Sequence, residues 1–73
     1  MSTLYIGVYG ASGFGKEVMP LVRQQYPTLS QENFVFIDDG ASEETLNGYQ
    51  ILNYNNFKNV SSANKAVVIA IAN

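Results

Sequence analysis

The chain opens with an apolar run that passes directly into a glycine-rich loop: Leu4-Tyr5-Ile6-Gly7-Val8-Tyr9-Gly10-Ala11-Ser12-Gly13-Phe14-Gly15. The first half is almost continuously apolar and rich in β-forming residues, as in parallel strands that are buried on both faces. Apolar residues then recur at helical spacing from about Gly15 to Tyr26. The stretch therefore predicts a strand, a tight loop and a helix that packs on a sheet.

The predicted helix presents one apolar stripe to the sheet, formed by Val18, Leu21, Val22 and Tyr26. Pro20 lies inside this helix, where a proline removes one backbone hydrogen bond. We expect the helix either to start late or to kink at this residue. Pro27 is expected to end it.

A second buried strand is predicted at Asn33–Ile37, stopping at the pair Asp38 and Asp39. Two such strands joined by one helix form a βαβ unit, whose crossover is right-handed. Ala66–Ala72 has the pattern of a further buried parallel strand. The predicted fold class is α/β, with a small open parallel sheet of three to four strands.

Between the second strand and the last one the pattern is weaker. Gly40–Asn47 is polar and acidic and is interpreted as a surface loop, with Asn47-Gly48 as a turn signal. Tyr49–Leu52 is a candidate for a short edge strand. Tyr54 and Phe57 suggest a helix of one or two turns, and we expect both side chains to lie in the core.

The composition excludes several classes of protein. The 73 residues suffice for one small domain, and 47% of them are hydrophobic, as in a globular protein. The net charge is −2 and the four basic residues are scattered singly, which argues against nucleic acid as a partner. The chain contains no cysteine and no histidine, so we expect no metal site. No signal peptide or membrane-spanning run is evident, and the default expectation is a cytoplasmic location.

Three features are predicted to meet at the carboxyl edge of the sheet, where ligands bind in open parallel sheets. They are the glycine loop, the aspartate pair and the residues that follow the last strand. Exposed backbone N–H groups and a helix N-terminus can hold a phosphate, and Lys16 adds a positive charge. The candidate ligand-binding residues are Gly10, Ala11, Ser12, Gly13, Phe14, Gly15, Lys16, Asp38, Asp39, Ile71 and Asn73. No catalytic residue is predicted.

The loop is close to two known phosphate-binding patterns and matches neither. A P-loop needs Ser or Thr after its lysine, and the residue here is Glu17, which argues against an NTPase. The spacing is G-x-x-G-x-G instead of the dinucleotide pattern G-x-G-x-x-G, which weakens the interpretation as an NAD enzyme. Asp38 nevertheless stands about twenty residues after the loop, where dinucleotide folds place the acid that holds a ribose hydroxyl. Phe14 either covers the ligand or packs in the core, and the core is favoured.

Four segments in order carry a family resemblance: Gly10–Lys16, Phe36–Asp39, Gly48–Leu52 and Val67–Ile71. Together they resemble the N-terminal domain of the sugar O- and N-acyltransferases. This family includes sialic acid O-acetyltransferases and acetyltransferases that act on nucleotide-linked amino sugars. The resemblance covers essentially the whole chain.

The resemblance implies a Rossmann-like domain, residues 1–73, that binds the nucleotide-sugar acceptor. The glycine loop would lie near the diphosphate and sugar, and the aspartate pair near the nucleoside. A C-terminal left-handed β-helix of hexapeptide repeats would follow, bind acetyl-CoA, trimerise and supply a catalytic histidine. The full-length protein would be a sugar acetyltransferase of bacterial surface glycan synthesis, and this chain alone would not be catalytic.

Two departures from the family pattern bear on the ligand. Many members carry histidine where this chain has Phe14, and Pro20 is unusual in the first helix. Two alternatives remain open: a regulatory module that binds NAD, CoA or a nucleotide, and the N-terminal part of a dehydrogenase.

Overall fold

The computed structural model describes residues 4–10, 14–40, 42–60 and 64–69. A 3-10 turn, Gln31–Asn33, precedes the second strand. The strands and helices are β1 (Leu4–Tyr9), α1 (Phe14–Gln25), β2 (Phe34–Ile37), β3 (Thr45–Leu46), β4 (Tyr49–Leu52), α2 (Tyr54–Lys58) and β5 (Asn64–Ile69).

The strands form one sheet in the order β3-β4-β2-β1-β5. β1, β2, β4 and β5 are parallel, and β3 is antiparallel to β4. This confirms the α/β class and the small parallel sheet. From β1 the chain first moves to one side, to β2, and later returns to the other side of β1, where β5 pairs with it. The boundary between β1 and β5 is therefore the topological switch point of the sheet, beside which ligands bind in folds of this type.

The two faces of the sheet are covered by different helices. On the α1 face, strand and helix side chains form one buried cluster: Ile6, Val8, Met19, Val22, Phe34 and Phe36. On the opposite face, Phe57 of α2 packs with Val35 and Ile37. All four residues of β2 are buried, because this strand is covered on both faces.

Gly7 allows α2 to lie close to the sheet. A Cβ at this position would be 2.9 Å from Ile37 Cγ1 and 2.9 Å from Phe57 Cε1, closer than side chains tolerate. Because Gly7 has no side chain, the Phe57 ring can lie against β1, where it stacks on Tyr5 with a centroid distance of 5.6 Å. Phe57 is thus a core residue, as predicted.

The first helix departs from its prediction in two respects. Its buried residues are Gly15, Met19 and Val22, whereas Leu21 is 59% exposed. The predicted apolar stripe was therefore wrong at Leu21, and Met19 takes that place in the core. The helix begins at Phe14 and continues through the exposed Pro20, so the late start, one of the two expected alternatives, was wrong.

The predicted loop at Gly40–Asn47 contains the short strand β3, which the sequence analysis missed. Asn47 (φ 53°) and Gly48 (φ 85°) both have positive φ, as the type I′ turn of a two-residue hairpin requires. The turn signal is confirmed. β4 was predicted at the edge, but it lies between β2 and β3.

The boundaries of the other strands shift by one or two residues. Asn33 ends the 3-10 turn instead of starting β2, and its Nδ2 donates to the Leu4 carbonyl (3.2 Å). β5 begins at Asn64, two residues before the predicted start. Residues 70–72 of the predicted strand lie outside the described residues. Among those described, no helix has the length and apolar character to cross a membrane.

Candidate functional site

The carboxyl ends of three parallel strands are joined by backbone hydrogen bonds that extend beyond the strands themselves. The Gly10 N–H donates to the Ile37 carbonyl (2.8 Å), and the Asp38 N–H donates to the Leu52 carbonyl (2.9 Å). The residues that leave β1, β2 and β4 are therefore fixed side by side. This edge is where the sequence predicted the ligand site.

The described part of the glycine loop holds helix and strand in close contact. Gly10 has a φ of 106°, which favours glycine. Gly15 is buried in the first turn of α1, and a Cβ there would overlap the Gly10 carbonyl oxygen. The first turn of α1 consequently lies directly over the end of β1. Its unpaired N–H groups give this edge a partial positive charge.

Three side chains of the first turn of α1 lie at the surface. Phe14 is 41% exposed, so the preference for a core position was wrong. Lys16 is exposed beside it, and Glu17 is exposed as well. An apolar ring and a positive charge are thus both available to a ligand at this edge.

Asp39 connects the end of β1 to the start of α2. Its Oδ1 accepts a hydrogen bond from the Tyr54 N–H (2.8 Å), and its Oδ2 accepts one from the Tyr9 hydroxyl (2.9 Å). These two bonds hold the pKa of the Asp39 carboxyl below its ordinary value, and the bond from the Tyr54 backbone has the larger effect. The same bond to the carboxylate raises the pKa of the Tyr9 phenol.

Asp38 has a different environment. It is half-buried, and its Oδ1 accepts a hydrogen bond from the Gly40 N–H (2.9 Å), which closes a tight turn after β2. Asn53, at the corresponding end of β4, caps α2 through its Oδ1, which accepts from the Asn56 N–H (2.7 Å). Both aspartates thus lie at the predicted edge.

The sequence analysis missed two aromatic side chains at this edge, Tyr9 and Tyr54. Their ring centroids are 6.5 Å apart and the ring planes are inclined by 42°. Tyr54 was predicted to be in the core, but it is 46% exposed, so that prediction was wrong. A sequence signal existed for Tyr9: strand alternation puts it on the same face as Tyr5, opposite Ile6 and Val8.

Of the eleven predicted ligand residues, the structure brings together Gly10, Phe14, Gly15, Lys16, Asp38 and Asp39. Ala11, Ser12, Gly13, Ile71 and Asn73 lie outside the described residues. Within the described ranges, no group of three acidic, histidine or cysteine residues is arranged to hold a metal ion.

A shallow depression lies at the opposite edge of the sheet, where the parallel strands begin. It is lined by Ser30, Gln31, Glu32 and Gly48. The Gln31 side chain spans it and donates to the Gly48 carbonyl (2.9 Å). It is remote from the glycine loop and the aspartates.

Comparison with known proteins agrees with this architecture. The sequence pattern of the PglD N-terminal domain matches residues 5–73. The chain belongs to the PglD N-terminal domain family. The match covers every described site residue, from the end of β1 to the start of α2.

A curated relative, a GDP-perosamine N-acetyltransferase of Escherichia coli O157:H7, is 32% identical over 69 residues, which are 92% of this chain. A solved structure, WeeI from Acinetobacter baumannii AYE, superposes with a TM-score of 0.92 at 69% identity and covers 97% of the chain. The PglD-type chain spans about a third of these proteins: 31% of the first and 34% of the second.

Proposed function

We propose that this chain is the domain that binds the nucleotide-sugar acceptor in a sugar acetyltransferase. The observation that carries the proposal is the close contact of Gly15 with the Gly10 carbonyl in a PglD-type domain. That contact puts the start of a twelve-residue helix at the carboxyl edge, and the backbone N–H groups of a helix N-terminus can bind an anion. A diphosphate is the anionic part of a nucleotide sugar.

The charges along the edge support one orientation of the ligand. Lys16 and the start of α1 are positive, whereas Asp38 and Asp39 are negative. The diphosphate would therefore lie at the glycine loop, and the nucleoside, whose hydroxyls can donate to carboxylates, would lie towards the aspartates. Gly10, Ala11, Ser12, Gly13, Phe14, Gly15, Lys16, Asp38, Asp39, Ile71 and Asn73 are the proposed contacts.

The chemistry would be performed with a second domain. The family resemblance implies a hexapeptide-repeat β-helix that binds acetyl-CoA, forms trimers and supplies a histidine base. The sugar amine or hydroxyl would attack the thioester carbonyl, the histidine would take its proton, and the CoA thiol would leave. The name of the curated relative favours an amine. In this proposal the protein acts in the cytoplasm in surface glycan synthesis.

Titration calorimetry tests the binding step. The chain is titrated with UDP, GDP and dTDP, with their sugar derivatives, and with NAD and CoA. We expect a nucleotide sugar to bind most tightly, and we expect Lys16→Ala to weaken it. Lys58→Ala, which removes a charge from the distal end of α2, is the matched control. Tight NAD or CoA binding without any response to nucleotide sugars would favour a regulatory module or a dehydrogenase instead.

A second test uses the longer reading frame. Isoleucine-rich hexapeptide repeats with a histidine downstream of Asn73 would support the transferase proposal. A different downstream domain would contradict it, whatever the outcome of the titrations.

A further inference from the structure

Tyr54 is an exposed aromatic residue at the ligand edge that the sequence analysis did not assign to any function. It is the first residue of α2 and is 46% exposed, whereas Phe57, one turn later, is buried at 2%. Its ring lies 6.5 Å from that of Tyr9, the residue directly before Gly10. The ring is therefore close to the carboxyl end of β1, the strand that leads into the glycine loop.

The position of Tyr54 is held from two directions. Its N–H donates to Asp39 Oδ1, and the second oxygen of the same carboxylate accepts from the Tyr9 hydroxyl. The start of α2 is also capped by Asn53. These bonds fix the backbone from which the Tyr54 ring projects, and a binding surface whose backbone is ordered before the ligand arrives loses less conformational entropy on binding.

Electrostatics decides which part of a nucleotide sugar fits beside this ring. The carboxylate of Asp39 repels phosphate, and its low pKa keeps it charged near neutral pH. The diphosphate is drawn instead to Lys16 and the start of α1. An uncharged planar group is therefore favoured at Tyr54, and the nucleobase is the planar group of this ligand.

We propose that the Tyr54 ring is the surface on which the nucleobase stacks, and that Asp39 and Tyr9 act as positioning residues for it. The inference rests on the proposed function and deepens it by assigning the base subsite. Stacking on an aromatic ring tolerates different bases. Tyr54 thus contributes affinity for the nucleoside, and discrimination between bases comes from other groups.

The test compares Tyr54→Phe with Tyr54→Leu, using UDP and GDP as probes. Phenylalanine keeps the ring and leaves Kd within about twofold, whereas leucine removes it and raises Kd about tenfold. Leu21→Ala removes another exposed apolar side chain, from α1, and is the matched control. Circular dichroism checks that each variant is folded.

A spectroscopic measurement on the unmodified chain detects stacking directly, and one variant then assigns it to Tyr54. Stacking moves the base protons of the bound nucleotide upfield in the NMR spectrum, and Tyr54→Leu abolishes this shift. Wild-type binding without the upfield shift, or equal affinity of the leucine variant, overturns the inference and leaves the proposed function intact. Failure of the wild type to bind any nucleotide overturns both.

Discussion

The carbonyl oxygen of Gly10 occupies the space that a Cβ at Gly15 would need. This contact sets the distance between the end of β1 and the first turn of α1. Since one partner is a backbone carbonyl, a side chain cannot be accommodated by rotating a neighbour.

Gly15→Ala should therefore destabilise the fold. The added methyl must push helix and strand apart, at a cost of about 1–3 kcal/mol or more in the free energy of unfolding. Urea denaturation measures it. Gly40→Ala is the matched control, because a Cβ there would lie 3.8 Å from Asp38 Oδ1, an ordinary contact. Equal stability of the two variants would contradict the assigned contact.

The Tyr9–Asp39 hydrogen bond should make stability depend on pH at both extremes. The pKa of Asp39 is lowered, so its contribution is present above the ordinary value of 3.8 and is lost as the pH falls through the folded value. The pKa of Tyr9 is raised, so its contribution is present below 10.0 and is lost as the pH rises through the folded value.

Unfolding midpoints of the wild type and Tyr9→Phe, measured over the acid and alkaline limbs, check this dependence. The variant removes the phenolic hydroxyl and keeps the ring. The unfolding midpoint should therefore depend less steeply on pH in both limbs. Asp39→Asn should flatten the acid limb in the same way. Both groups are exposed, and the effect is therefore expected in the slopes more than in stability at neutral pH. Parallel curves would exclude the coupling.

Arg23 should stabilise the packing of α1 on the sheet. Its guanidinium carbon lies 5.0 Å from the centroid of the Phe34 ring, and its Nη1 donates to the Tyr49 hydroxyl (2.7 Å). Arg23→Ala should lower the free energy of unfolding by about 1–2 kcal/mol.

Tyr49→Phe separates the two contributions of Arg23, because it deletes the hydrogen bond and keeps the ring. Its cost should be about 0.5–1.5 kcal/mol. The double variant with Arg23→Ala should lose less stability than the sum of the two single losses, since both single variants remove the same hydrogen bond. Full additivity would show that the bond contributes nothing.

Pro20→Ala should stabilise the chain. Pro20 is exposed inside α1, where it cannot donate to the carbonyl of Lys16, four residues earlier. Alanine supplies the missing N–H and has the highest helix propensity, so a gain of about 1–3 kcal/mol is expected. Thermal unfolding measures the gain. A loss of stability would contradict this prediction and would mean that proline is required at this position.

The parts of the fold that were predictable are those with a continuous signal over many residues. β1 and β2 lie in the middle of the sheet, and their runs of apolar residues reflect this. β5 was located from its apolar run, but it lies at an edge of the sheet and Val67 is 43% exposed, so its prediction as a buried strand was wrong. β3 has only Thr45 and Leu46, too few residues for a periodic pattern. β3 forms because the turn at Asn47 and Gly48 folds it back onto β4. The sequence predicted that turn but not the short strand that precedes it.

The errors at single side chains arise from tertiary position. Tyr54 and Phe57 have the spacing of one helix face, yet only Phe57 reaches the core, because it packs against Val35 and Ile37 of β2. Helical spacing alone does not predict how far each residue of a short helix lies from the sheet. The same holds for Phe14, the first residue of α1, which is exposed. Gly10, Gly15 and the two aspartates lie at the predicted edge, because strand ends in a parallel sheet share one edge.

The order of the strands also bears on how such a domain changes during evolution. The switch point at the end of β1 arises because β2 and β5 lie on opposite sides of β1. Backbone topology creates that switch point, while the buried clusters that hold the fold together lie on the two faces of the sheet. Substitutions at the rim can therefore exchange one ligand for another at little cost in folding. A single scaffold can in this way serve a series of enzymes with different substrates.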